Sequence, residues 1–111
     1  RQHYGVDITG VSGAPVKASG GGQVVFAGMT TELGNLVVIY HGNNYFTYYG
    51  HNELLKVDQY QNVNSGDTIA TIGSSGKSSG PHLHFEIWKE GKAVDPLLYF
   101  PELNKTNMSV D

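Results

Sequence analysis

The chain has 111 residues, which is close to the size of a typical single domain and predicts one hydrophobic core. Its formal net charge is −3 and its lysines and arginines are scattered, which argues against a nucleic-acid or anionic-lipid partner. Hydrophobic residues make up 39% of the sequence, but no stretch approaches the roughly 18–20 apolar residues of a spanning helix, so we expect no membrane span in this segment.

Short runs rich in valine, isoleucine, tyrosine, phenylalanine and threonine are separated by glycine-rich turns, which predicts an all-β domain. In chain order, we expect strands at residues 6–9, 23–29, 36–40, 45–51, 68–72 and 82–89. Residues 52–57 could hold a helical turn. Residues 101–111 lack periodicity and are interpreted as a tail that follows a domain at residues 1–100. Because the chemical motifs begin so near residue 1, we expect this segment to be the C-terminal part of a longer chain.

Five histidines carry most of the chemical signal in a chain that has no cysteine. His82 and His84 are two positions apart on a predicted strand, so both rings point to the same face of the sheet. His3 and Asp7 are four positions apart, where the first strand begins, and His51 follows an apolar run. The spacing groups side chains of the kinds that bind metals, but it does not show which of them bind a metal and which are catalytic.

Imidazole nitrogen and carboxylate oxygen are ligands that zinc prefers, and a catalytic zinc site uses three protein ligands and keeps one position open. Two further histidines beside such a site could move a proton and stabilise an oxyanion. Each histidine also has a plainer interpretation as a packed or solvent-facing side chain, and we assign His41 to that class. Glu86 is interpreted as a general base, a solvated group or a hydrogen-bond partner of a ligand.

Together these segments resemble the lysostaphin-type peptidoglycan metalloendopeptidases over nearly the whole chain. Residues 3–7 (HYGVD) are similar to the His-x-x-x-Asp motif of that family, and residues 80–87 (GPHLHFEI) are similar to its His-x-His strand. Residues 47–51 (TYYGH) resemble the segment that carries a catalytic histidine. Residues 63–67, 72–76 and 94–99 resemble its glycine turns and its closing turn.

The resemblance implies a compact antiparallel β sheet or sandwich, with a zinc site in a groove walled by loops. It implies that His3, Asp7 and His84 bind Zn²⁺ and that His51 and His82 are the catalytic histidines. One of these two histidines would accept a proton and the other would donate one, in an order that the sequence leaves open. The implied substrate is a peptidoglycan peptide, in a stem or a cross-bridge. The implied location is extracytoplasmic, in the periplasm, in the cell envelope or secreted.

Two departures from the family pattern are visible. Asn52 follows His51 where the family usually has leucine, which changes local packing but removes no predicted ligand. The chain also begins at the zinc motif, whereas relatives commonly have an earlier strand and loop that form one wall of the groove. An upstream segment or a partner could complete that wall. Tyr45, Tyr48, Tyr49 and Trp88 are candidate substrate contacts, although aromatic residues on strands are more often packing.

An alternative function is a noncatalytic cell-wall-binding or regulatory domain that activates other hydrolases, because some relatives lose metal ligands. This sequence keeps all five matching histidine and aspartate positions, which favours the enzyme. A lipoyl- or biotinyl-carrier domain is a weaker alternative, suggested by the glycine turn at residues 63–70. Lys56 and Lys77 lack the tight-turn context that a carrier lysine needs, and the carrier hypothesis leaves the histidines unexplained.

Overall fold

The structure is a computed structural model that describes residues 5–78, 80–101 and 108–110, the last three for their backbone alone. Within these residues, ten strands pair in an antiparallel sheet, which confirms the predicted all-β class. The strands are β1 (Val6–Thr9), β2 (Pro15–Lys17), β3 (Gly22–Thr30), β4 (Gly34–Gly42), β5 (Tyr45–Leu55), β6 (Asn62–Val63), β7 (Thr68–Ile72), β8 (His82–Lys89), β9 (Lys92–Val94) and β10 (Met108–Val110). A 3₁₀ turn occupies Pro96–Leu98. No helix in this part of the chain has the length and hydropathy to cross a membrane.

All six predicted strands are present, and several are longer than predicted. β5 continues to Leu55, so the helical turn considered at residues 52–57 is wrong. The reason is that Asn52 and Leu55 pair with Ile72 and Ala70 of β7, which keeps this stretch extended. The short strands β2, β6, β9 and β10 span too few residues to show an alternating pattern. β10 lies in the segment interpreted as a tail, and the division of the chain at residue 100 stays a prediction.

The strand order brings the distant parts of the sequence together around β8. Neighbouring strands follow the order β10-β1-β8-β5-β4-β3-β6, with β7 paired to β5 and β2, and β9 paired to β8. In this register Asp7 of β1 pairs with His84 of β8, and His84 pairs with Gly50 of β5. The first, fifth and eighth strands therefore present their predicted site residues to one another.

The hydrophobic core fixes which face of β8 is polar. Phe85 and Ile87 are buried in the core, whereas His84 and Glu86, which alternate with them, point to the opposite face. The core cluster also takes buried side chains from β1, β2, β3, β4, β5 and β7, among them Val6, Val16, Val24, Val37, Ile39, Tyr49, Ile69 and Ile72. A one-residue slip of β8 would move its apolar residues out of the core and its histidines into it, so the core specifies the register of the site.

Two glycines let the loop at residues 73–78 dock closely against the beginning of β4. Gly34 has φ +62° and Gly76 has φ +73°, and both values lie in the left-handed region that favours glycine. A Cβ added to Gly34 would lie 2.4 Å from the carbonyl carbon of Ser75, and one added to Gly76 would lie 2.3 Å from the Gly34 nitrogen. The position of Ser75 therefore depends on this close backbone approach.

Gly34→Ala is expected to lower the free energy of unfolding more than Gly66→Ala does. Both positions have positive φ, so alanine at either costs about 1–2 kcal/mol for its backbone conformation. A Cβ added to Gly66 would meet nothing within 4 Å, whereas a Cβ added to Gly34 would collide with backbone. Urea unfolding of the two variants beside the unmodified chain measures the difference. Equal losses of stability would contradict the close approach.

Candidate metal and catalytic site

Asp7 and His84 face each other across the β1–β8 pair. The Oδ1 of Asp7 lies 2.8 Å from the Nδ1 of His84, and the histidine is buried. Gly5 keeps the space beside the ring open, because a Cβ at that position would lie 2.4 Å from the Cε1 of His84 and 2.7 Å from its Nε2. A glycine two residues before Asp7 is therefore part of what allows the His84 ring to occupy this position.

Glu86 and Trp88 hold the other side of the His84 ring. The Oε2 of Glu86 lies 2.6 Å from the Nε2 of His84, and the Nε1–H of Trp88 donates to the Oε1 of Glu86 at 2.7 Å. Both ring nitrogens of His84 therefore face a carboxylate oxygen, Nε2 that of Glu86 and Nδ1 that of Asp7. With a metal on the Nδ1 lone pair, the hydrogen of the neutral ring would be on Nε2, where Glu86 accepts it. Of the roles considered for Glu86, the structure favours that of a hydrogen-bond partner that orients a ligand.

His82 lies next to this pair on the same face of β8. Its Nε2 is 3.5 Å from the Oδ1 of Asp7, and its Nδ1 is 2.8 Å from the carbonyl oxygen of Gly80. Because a carbonyl can only accept, this contact places the hydrogen of a neutral ring on Nδ1 and leaves Nε2 as the nitrogen that can accept a proton. The Nε2 of His82 therefore points toward the candidate ligands.

His51 approaches the same place from β5. The centre of its ring is 5.0 Å from that of His82 and 5.9 Å from that of His84. Its φ is +63°, a conformation that costs about 1–3 kcal/mol in a residue other than glycine and persists where the surroundings impose it. The His51 N–H donates to the carbonyl of Leu33 at 2.6 Å, and its Nδ1 lies 2.5 Å from the carbonyl oxygen of Ser75. The Nε2 of His51 is thus also the nitrogen that can accept a proton.

The environment of His51 favours its neutral form. Burial lowers the pKa of His51 from the ordinary 6.5, because the charged ring would lose hydration. The hydrogen bond to Ser75 and the negative charge of Asp7 act in the opposite direction, and His82 and His84 lower the pKa further. The net result is an imidazole that stays unprotonated, and able to accept a proton, at a pH where an ordinary histidine begins to charge.

The atoms that meet at Asp7 and His84 are of the kinds that zinc prefers, a carboxylate oxygen and an imidazole nitrogen. These two side chains fit a zinc site, because Glu86 holds the remaining ring nitrogen of His84 and Gly5 leaves the ring its space. His3, the third predicted ligand, lies outside the described residues. Among the residues that are described, no group of three or more potential ligand side chains is arranged so that it could hold a metal ion. The set of His3, Asp7 and His84 stays a prediction.

His41 lies away from this site. Its Nε2 is 2.7 Å from the Oγ1 of Thr47 and its Nδ1 is 2.8 Å from the carbonyl oxygen of Gly21. Thr47 pairs with Ile87, whose side chain is in the core, so the side chain of Thr47 lies on the core face of the sheet. Because His41 contacts Thr47, it belongs to that face, which is opposite the face of Glu86. Its exclusion from the predicted site agrees with this position.

The contacts that sequence reasoning missed are those made by backbone groups. The carbonyls of Ser75 and Gly80 fix the two histidines outside the predicted ligand set, and both belong to the loop between β7 and β8. The glycine- and serine-rich composition of residues 73–80 indicated a loop but not the direction of its carbonyls. The Nε1–H of Trp88 donates to Glu86, and the role of Trp88 as a substrate contact stays a prediction.

Comparisons with known proteins place these features in a family. The model of the family described as Peptidase family M23 matches residues 1–96. The murein hydrolase activator NlpD of Escherichia coli (strain K12) is 44% identical over 99 residues, which cover 88% of this chain and 26% of that protein. A lipoprotein NlpD/LppB homolog of Pseudomonas aeruginosa is 48% identical over 98 residues, which cover 87% of this chain and 33% of that protein. The chain thus spans between a quarter and a third of the length of these two relatives.

Solved structures show the same fold. The catalytic domain of the antimicrobial peptidase lysostaphin from Staphylococcus simulans is similar with a TM-score of 0.83 and 32% identity, over 90% of this chain and 80% of that one. A zinc containing peptidase from Vibrio cholerae is similar with a TM-score of 0.81 and 39% identity, over 84% of this chain and 29% of that one.

The His51 imidazole is expected to titrate below pH 6.5 in the metal-free chain, because burial penalises its charged form. As the pH falls through 6.5, an unshifted histidine becomes half protonated while His51 remains mostly neutral. Nuclear magnetic resonance of ring-labelled histidine, with His51 assigned from a His51→Gln variant, measures the midpoint. A midpoint at or above 6.5 would be incompatible with the buried environment described for this ring.

Proposed function

The chain belongs to peptidase family M23, in agreement with the resemblance seen in its sequence, and from this premise we propose that it is a zinc-dependent endopeptidase. Its proposed substrate is a peptide bond in a stem or a cross-bridge of peptidoglycan. The observation that carries the proposal is that Asp7 and His84 present a pair of zinc-ligand atoms, with the rings of His51 and His82 beside them. A noncatalytic domain has no need of two histidines whose Nε2 atoms can accept a proton.

The residues that would hold the zinc are His3, Asp7 and His84. When bound, zinc supplies Lewis acidity, which polarises a peptide carbonyl and lowers the pKa of water. With the Nδ1 of His84 on the metal, Glu86 would accept the hydrogen that the neutral ring carries on Nε2 and would fix the orientation of the ring. The chain's own contribution to metal binding therefore extends beyond the ligands to the Glu86–Trp88 pair.

His51 and His82 would move the protons. Each ring has its Nδ1 anchored on a backbone carbonyl, so each can accept a proton on Nε2 and then donate it from the same atom. The lowered pKa of His51 supports its assignment as the acceptor of the proton from the attacking water. His82 would then stabilise the oxyanion that develops on the carbonyl, or donate a proton to the leaving amine.

The domain is extracytoplasmic, as the sequence predicted. Its relatives include proteins named as lipoproteins from Pseudomonas aeruginosa and Yersinia enterocolitica and an outer membrane antigenic lipoprotein B from Haemophilus influenzae. A further group of relatives is named for the activation of murein hydrolases. These names support peptidoglycan as the material on which the chain acts.

The second candidate function is that of a regulatory domain that activates other peptidoglycan hydrolases. It is favoured by the name of the Escherichia coli and Salmonella relatives, murein hydrolase activator, which match most of this chain. The two functions differ in what they require of His51, because a docking surface does not depend on a proton acceptor. Whether the chain cleaves peptidoglycan in the absence of another hydrolase therefore distinguishes the two functions.

Substitutions at the site are expected to separate metal binding from catalysis. His84→Ala removes a ligand and should lower zinc occupancy, whereas His51→Ala and His82→Ala should keep the zinc and lower turnover by roughly 10²–10⁴-fold. His41→Gln, on the opposite face of the sheet, is the matched control and should keep both properties. Elemental analysis of the purified chains gives the occupancy, and release of soluble fragments from purified peptidoglycan gives the turnover.

Two results would overturn the proposal. Full cleavage by His51→Ala would remove the proposed proton acceptor from the mechanism. A folded, zinc-loaded chain that cleaves nothing, but accelerates a separate purified hydrolase on the same peptidoglycan, would establish the regulatory function instead.

A further inference from the structure

Asn52 is a residue that the proposed mechanism does not use, although it is almost completely buried beside the catalytic site. The residue is 1% exposed, and it follows His51 directly in β5. A buried amide in the place of an apolar side chain loses hydration and needs hydrogen bonds to compensate, so its contacts indicate what it does.

The amide of Asn52 is oriented by its two partners, which are both backbone carbonyls. Its Nδ2 donates to the carbonyl of Tyr49 at 2.8 Å and to that of Asn35 at 2.9 Å. A reversed amide would bring its oxygen against these two oxygens, so the donors must point this way. The Oδ1 is buried and has no hydrogen-bond partner among the described residues. The two hydrogen bonds that the amide donates therefore determine the orientation of the side chain.

These bonds surround a bulge that contains His51. The β4–β5 register shifts between Asn35 and Val37, whose partners are Asn52 and Tyr49, so two residues of β5 lie opposite one residue of β4. A bulge of this kind changes the direction of a side chain. The bond from Asn52 to Tyr49 spans Gly50 and His51 and ties together the two ends of the bulge.

Asn52 also connects the bulge to the loop that holds the His51 ring. The carbonyl of Asn52 accepts from the Oγ of Ser75 at 2.5 Å and from the Nδ2 of Asn35 at 3.1 Å. The Oγ of Ser75 in turn accepts from the backbone N–H of Asn35 at 3.0 Å. Ser75 is the same residue whose carbonyl contacts the Nδ1 of His51. The backbone and the ring of His51 are therefore fixed by one network.

We propose that Asn52, with Asn35 and Ser75, forms a clamp that positions His51 and sets its tautomer, with the hydrogen on Nδ1 and the accepting lone pair on Nε2. The positioning of the ring is a property of the fold, and its catalytic consequence rests on the function proposed above. Leucine at position 52 has a similar branched shape but makes neither donor contact, so the side-chain links from position 52 to Tyr49 and Asn35 would be lost. The backbone carbonyl of residue 52 would then be the only link from the bulge to the Ser75 hydroxyl, and it would no longer be held by the two side-chain bonds. Asn52 is a positioning residue, because it touches His51 only through the backbone and through Ser75.

The experiment compares Asn52→Leu with Thr71→Val. The control, Thr71→Val, removes a hydroxyl on β7 that accepts from the backbone N–H of Leu54 in β5. It leaves the clamp intact. Two-bond ¹H–¹⁵N correlation spectra of the metal-free chains above neutral pH report which nitrogen of His51 carries the hydrogen. We expect the Nδ1–H form in the wild type and in Thr71→Val, and a mixture of the two tautomers in Asn52→Leu.

The zinc-loaded forms of the same chains supply the second measurement. Asn52→Leu is expected to keep its zinc and its KM for a soluble peptidoglycan peptide while kcat falls about tenfold or more, since small displacements of a catalytic group can cost roughly 10²-fold. If Asn52→Leu does not fold, Ser75→Ala replaces it, because that variant keeps the carbonyl and removes only the hydroxyl that docks the loop.

An Asn52→Leu or Ser75→Ala chain with the wild-type tautomer and the wild-type kcat would overturn the clamp. If the wild-type chain cleaves no peptide, the proposed function fails, and the tautomer spectra of the metal-free chains still decide whether Asn52 positions the ring. The two failures are therefore distinguishable.

Discussion

The contact between Asp7 and His84 is the interaction on which the rest of the site depends. It joins residues 77 positions apart in sequence, and it forms because β1 and β8 are neighbours with these two residues in register. The apolar side chains that alternate with His84 bury themselves in the core and prevent β8 from slipping. The same packing that stabilises the sheet therefore sets a carboxylate oxygen beside an imidazole nitrogen.

Around that contact, each histidine is held by a group that can only accept a hydrogen. Glu86 accepts from His84, the Gly80 carbonyl accepts from His82, and the Ser75 carbonyl accepts from His51. For a neutral imidazole, a fixed acceptor at one nitrogen determines which nitrogen has the lone pair. The arrangement thus gives His51 and His82 an accepting Nε2, whereas His84 has a carboxylate at both nitrogens and would offer Nδ1 to a metal. The strained backbone of His51 is accommodated because His51 lies within a bulge of β5 and its N–H donates to the carbonyl of Leu33.

Much of this architecture can be predicted from the sequence, for identifiable physical reasons. The alternation of residues 82–89 predicted both the strand and the common face of His82 and His84, because successive side chains on a strand point to opposite faces. The resemblance of residues 3–7 and 80–87 to a known family implied that Asp7 and His84 meet at one metal site. Local sequence patterns cannot predict a contact between residues so far apart.

The sequence could not predict long-range contacts or the directions of backbone carbonyl groups. The direction of the Ser75 and Gly80 carbonyls depends on how the loop between β7 and β8 docks, and this docking depends on the approach of Gly34 and Gly76. Asn52 appeared in the sequence as a departure from a pattern, and its four hydrogen bonds through side chain and carbonyl became visible only with β4 and the loop in place. Strands of two or three residues carry no periodic signal.

The most direct test of the central claim is to determine which bonds the chain breaks in purified peptidoglycan. Mass spectrometry of the soluble fragments, before and after chelation and again after zinc is restored, identifies the chemistry. We expect fragments with new peptide termini that disappear with chelator and return with zinc. A folded, zinc-loaded chain that produces no peptide-bond fragments would contradict the central claim.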